Sequence, residues 1–186
     1  MENERVRGNP AGITNMHVAT NIRAARQSIG MDLRTMSVKL TEVGRKISPS
    51  GISKIENGDR RVDVDDLTAI AYLLRTTPAA LLTPPSDGVE VTGVSSRFLP
   101  EEIQAWVAGR VKLTPDDLLR YWKEERFNAS SYVKRFEDAL AQYDQGQLGL
   151  TPREVYEERL ATQRARLELA TGRLVQLDPL AIPNLD

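Results

Sequence analysis

The chain has 186 residues, of which 40% are hydrophobic and 27% charged, with a formal net charge of −1 and no cysteine. That balance excludes a wholly disordered chain, and the lack of cysteine excludes disulfides and thiolate metal sites. No apolar run approaches the roughly 18 residues of a membrane span and the N-terminus has no apolar signal core, so the expected location is the cytoplasm, with no membrane partner.

Charge is unevenly shared. Residues 1–84 hold 12 Lys/Arg and 9 Asp/Glu, whereas residues 85–186 hold 13 and 17. A modestly basic front and an acidic back suit a DNA-reading module joined to one for assembly or partner binding. The single histidine, His17, cannot build a multi-histidine metal site and reads as a surface residue ahead of the first helix.

Residues 1–16 mix charge, Gly and Pro without periodicity and read as a flexible arm, in which Arg5 and Arg7 could touch a DNA backbone or minor groove. From about Val18, the apolar residues Ile22, Ala25 and Ile29 recur at helical spacing, and Gly30 stops this first helix. Asp32 caps a second helix, with Leu33, Met36, Leu40 and Val43 inside and Gly44 at its end. Ser48 is a good cap for a third, because its hydroxyl can accept from an orphan backbone N–H. Pro49 follows at the first helical position, where its missing N–H costs nothing. Ile52 and Ile55 share one face of this helix and Asn57-Gly58 end it. Its other face carries Pro49, Ser50, Ser53 and Lys54, with Arg60 and Arg61 just beyond. Asp63 caps a fourth helix holding Leu67, Ile70, Ala71 and Leu74, and Thr77-Pro78 start a short fifth.

Residues 84–97 are rich in Pro, Gly and Ser and mark a linker, within which VEVTGV is a candidate edge strand or docking tether. Beyond it, Pro100 to Ala108 reads as a helix, and Trp106 and Trp122 read as core residues. Thr114-Pro115 starts a helix holding Leu118, Leu119 and Trp122, and another spans about Ser130 to Gln145. Thr151-Pro152 opens the longest, to about Leu177, in which Leu160, Leu167 and Leu174 are seven apart. That spacing leaves two readings open: packing on its own domain, or a homodimer through helix 152–177.

The segment from about Val18 to Leu82 carries NIRAAR, MDLRTMSVKL, ISPSGISKIENG, DDLTAIAYLL and TPAALL. In these it resembles the lambda-repressor-like helix-turn-helix domains of the XRE transcription regulators of bacteria and their phages. The resemblance implies that helix 48–57 lies in the major groove while the preceding helix crosses the DNA backbone. Pro49, Ser50, Ser53 and Lys54 then face the base edges, lysine being able to donate to guanine O6 and N7. Arg34, Arg45, Lys46, Ser48, Asn57, Arg60 and Arg61 are candidates for the DNA backbone. The resemblance also pairs Arg26 with Glu56 as an ion pair bracing the recognition helix. Two departures stand out. The join between helices two and three is about five residues longer than the usual tight turn, with EVGRK inserted, so that helix two is expected to gain a turn and Arg45 and Lys46 to project toward DNA. Leu33 stands where the family often has a phosphate-binding glutamine, which passes that contact to Arg34.

The expected architecture is all-α. It comprises an N-terminal arm (1–16), a five-helix DNA-binding domain (17–83), a linker (84–97) and a helical C-terminal domain (98–186) for assembly, partner binding or accessory DNA contacts. With no HExxH, phosphate loop or cysteine nucleophile, no enzyme, cofactor or metal is expected. The function expected is sequence-specific binding of a double-stranded DNA operator by a transcription regulator, a repressor of the phage immunity type. The alternative is an antitoxin whose C-terminal half binds a partner while the front autoregulates, which co-purification of a stoichiometric toxin would reveal.

Overall fold

Four helix starts in the first half are set by side chains that accept from the backbone three residues on. Asp32 accepts from Thr35 N at 2.7 Å, opening α2 (Leu33–Glu42), and Ser48 accepts from Gly51 N at 3.1 Å, opening α3 (Pro49–Glu56). Asp63 does the same for α4 (Val64–Leu73) and Thr77 for α5 (Pro78–Leu82). Each satisfies one of the donors that a helix leaves orphaned at its N-terminus. The computed structural model describes residues 10–85, 90–147 and 151–178, and every regular element among them is a helix, as the sequence predicts. Arg5 and Arg7 lie outside the described residues.

The first helix, α1 (Ile13–Ser28), starts five residues before the expected Val18 and takes in the end of the supposed arm. Its cap, Gly12, offers no side chain, so the first turn leans on distant neighbours instead. Asn15 Oδ1 accepts from Val62 N at 3.0 Å, and Thr14 Oγ1 accepts from Thr92 N at 2.9 Å. His17 is therefore not a surface residue ahead of the helix. It is buried within it, with Nε2 hydrogen-bonded at 2.8 Å to the Glu90 carbonyl. The segment around Glu90–Thr92 makes no strand but is a tether docked on α1. At the other end of the domain, Asn21 Nδ2 donates to the carbonyls of Leu81 (2.9 Å) and Thr83 (2.8 Å), holding α5 on α1.

All five helices feed one core. Val18 and Ile22 meet Met36 and Leu40 of α2, Ile52 and Ile55 of α3, Ile70 and Leu74 of α4 and Leu81 of α5. The chain divides into two compact units at Arg110/Val111. The first unit therefore runs past the expected linker and includes α6 (Pro100–Val107), which packs on α5. Trp106 of α6 is 39% exposed and is not the core residue expected.

The second unit is built on a helical hairpin of α7 (Pro115–Asp144) and α8 (Arg153–Leu177). Two helices were expected where α7 runs unbroken for 30 residues. The apparent gap arises because the inward position after Trp122 is Glu125, a charge that interrupts the apolar period. Arg166 of α8 neutralises it, with Nε 2.8 Å from the Glu125 carboxylate. Trp122, Ala129, Leu160, Ala170 and Leu174 are buried along the seam. Tyr143 and Tyr156 close its end 6.4 Å apart, next to an ion pair between Arg153 and Asp144 at 3.2 Å. The buried leucines of α8 thus face α7 of the same chain. No helix among the described residues is long and apolar enough to cross a membrane.

Candidate nucleic-acid interface

The eight residues of α3 are too few to hold a helix by themselves. Two anchors fasten it from behind: Ile52 and Ile55 are both fully buried in the core. A third fastening is ionic. Arg26 of α1 donates from Nε and Nη2 to the Glu56 carboxylate at 2.6 and 2.8 Å, and from Nη1 to the Met31 carbonyl at 2.7 Å. Glu56 is 3% exposed and Arg26 12%, and the hydrogen bond to Glu56 holds the Arg26 guanidinium above its ordinary pKa. Arg23 adds a longer contact to Glu56, 3.6 Å, and donates to the side-chain carbonyl of Asn57. Asn57 is thereby occupied at its oxygen, a partnership that nothing local in the sequence announces.

With its back secured, α3 turns Pro49, Ser50 and Lys54 to solvent, while Ser53 is half-buried. The hydroxyls of Ser48 and Ser50 lie 3.0 Å apart at the N-terminal end, where the helix dipole favours an anion. Gly51 is tightly enclosed. A methyl group there would sit 3.1 Å from Ile47 Cγ2 and 3.3 Å from Arg60 Nη1, so Arg60 reaches back beside the first turn of α3.

The longer join between α2 and α3 behaves differently from expectation. Helix α2 does not gain a turn, since it ends at Glu42 and Gly44 takes the left-handed conformation at φ 82°. Arg45 is turned inward. It donates from Nε to Asp66 at 2.9 Å and from Nη2 to both Asp66 and Asp63, the latter pair at 3.0 Å, with Asp65 at 3.7 Å. Arg60 donates to the other oxygen of Asp66 at 3.0 Å. The Asp66 backbone N–H, and after it Arg45, hold the Asp63 carboxyl below its ordinary range. Asp66 is thus the residue that sequence reasoning passed over. It stands in the first turn of α4, where a carboxylate is favoured by the helix dipole anyway, and that local role conceals the longer-range one. By contrast Lys46, Lys54 and Arg61 are exposed and carry no side-chain ion pair among the described residues, and Arg34 is exposed on the first turn of α2.

Residues 22–81 match the family model described as helix-turn-helix. They form a helix-turn-helix domain of the XRE class. The chain is accordingly a DNA-binding transcription regulator, whose C-terminal region is helical. No curated protein and no solved structure matches it. In this regulator the Arg45–Asp66–Arg60 network ties the lead-in and the exit of α3 to α4.

The network has a measurable consequence. Asp66→Ala removes the acceptor for two arginines, but their side chains are 32% and 42% exposed and can rehydrate. The expected loss of stability is therefore about 1–3 kcal/mol, less than for a fully buried pair. Urea denaturation followed by circular dichroism measures it. A loss above that range would mean that the arginines cannot reach water.

Proposed function

We propose that this regulator is a repressor that occupies a double-stranded operator in the cytoplasm, with α3 in the major groove. The observation that carries the proposal is the division of α3 into a wholly buried apolar back and a small, polar, outward front ending in Lys54. Such a front can approach base edges closely, and lysine supplies a donor for guanine. Lys46 and Arg61 serve as phosphate contacts, giving affinity and register rather than sequence choice. Arg60 reaches DNA from its seat on Asp66, a phosphate contact aimed by a buried carboxylate. Because Arg45 is held on Asp63 and Asp66, its part is to shape the lead-in to α3. One copy reads few base pairs, so we also propose that two copies pair through the C-terminal hairpin and present two recognition helices to two half-sites.

Selection of bound sequences from a random DNA pool tests this reading. A repeated, two-fold symmetric motif is the expected result, and recovery of no enriched sequence would sink it. The residue assignments are tested by a pair of variants. Lys54→Ala lowers the preference for operator over random DNA by about 1–3 kcal/mol. Lys46→Ala weakens binding to both alike and flattens the dependence of affinity on salt. Indistinguishable behaviour of the two variants in salt-dependent gel-shift titrations would undo the division of roles.

A further inference from the structure

A hairpin of two helices is one layer, and a layer buries its apolar residues only where another element covers it. Its seam is closed, but one flank is open. There Tyr132 and Phe136 of α7 stack at 6.4 Å between ring centres, and Tyr132 remains 46% exposed. The two rings border a groove of about 400 Å³ whose other side is formed by Val155, Glu158, Arg159 and Gln163 of α8.

We propose that this groove receives a second copy of the chain, so that two α8 helices pack antiparallel across a two-fold axis. The inference deepens the paired-repressor reading above and rests on it, but moves the contact from the leucine seam to the flank.

Charge decides the occupant. Arg153, Arg164 and Arg166 of α8 all hold carboxylates within the hairpin, at Asp144, Glu137 and Glu125. Glu158 and Arg159 are adjacent, exposed and of opposite sign, and neither side chain has an ion pair or hydrogen bond among the described residues. A groove that carries one unpaired acid beside one unpaired base is complementary to itself. A two-fold axis between them sets Glu158 against Arg159 of the other copy, and does so twice, which is the defining property of an isologous interface. The same antiparallel register brings Val155 against Thr162, another residue of the groove, so that a methyl packs on a methyl. Gln163 lines the groove too, and its side-chain carbonyl is buried without a partner among the described residues. An acceptor of that kind is costly unless a donor arrives from outside. A nucleic-acid occupant is disfavoured, because Glu158 would face the phosphates.

The test is sedimentation or light scattering of the full chain at micromolar concentration, with charge-reversed variants. Wild type is expected to be a dimer. Glu158→Arg alone and Arg159→Glu alone each set like charges opposite twice, and are expected to weaken the dimer by at least about tenfold. Mixing the two single variants restores complementarity and is expected to yield a heterodimer. The double variant is expected to form a homodimer again. Both positions are exposed, so far-ultraviolet circular dichroism should show each variant folded. A monomeric wild type would overturn both the paired reading and this surface. A dimeric wild type with single variants that associate equally well would leave the pairing standing and overturn the surface. Single variants that dissociate without recovery in the mixture or the double variant would overturn the charge pairing.

Discussion

Arg26→Met is expected to cost the N-terminal domain about 3–5 kcal/mol, the typical penalty for stranding one partner of a buried ion pair. Glu56 would keep a carboxylate that is 3% exposed, with only the more distant Arg23 at 3.6 Å to answer it. The Met31 carbonyl would lose its donor as well. Small domains are stable by only about 5–15 kcal/mol, so the variant should be partly unfolded at physiological temperature. DNA binding should fail with it, because Glu56 is the last residue of α3. The double variant Arg26→Met with Glu56→Leu separates charge stranding from loss of packing. It replaces both charges by apolar groups of similar length and should recover most of the stability. Equilibrium unfolding in urea checks all three proteins, and a cost below about 1 kcal/mol for the single variant would show that the pair is not the brace we take it to be.

Ile52→Ala should cost about 2–5 kcal/mol, through lost burial and the cavity left among side chains that cannot fully collapse. Ile52 is fully buried at the junction of α3 with the rest of the core. Its consequence for DNA differs in kind from that of Lys54→Ala. On the proposed role of α3, a helix loosened at its back presents every outward residue less well, so affinity for operator and random sequence should fall together. Thermal unfolding and gel-shift titration of the same preparations check the pairing of the two effects. Selective loss of operator preference with unchanged stability would instead put Ile52 on the DNA-facing side.

Short-range patterns made much of the fold readable. Asp32, Ser48, Asp63 and Thr77 each announce a helix through a bond to a backbone N–H three residues away, a rule contained in the local chain. Ile52 and Ile55 mark the buried face of α3 by spacing alone. The helix-turn-helix domain was legible for the same reason, since its identity resides in a contiguous run now matched over residues 22–81.

Longer-range features were not legible. The start of α1 depends on Thr92 and Val62, which reach it from 78 and 47 residues away. Continuity through Glu125 depends on Arg166, 41 residues on, without which a charge on the seam reads as a break. The sequence by itself determined that this chain is all-helical, where its DNA-binding domain lies and which face of α3 is buried. Only the tertiary structure decided that α6 joins the first unit, that the leucines of α8 are taken up by α7, and that Arg45 and Arg60 meet at Asp66. The physical reason is one of range. Caps and apolar periods are settled by neighbours a few residues away. A flexible cation such as Arg45 can reach solvent, DNA or any nearby carboxylate, and its choice is made only when the loop's path brings the buried Asp66 beside it.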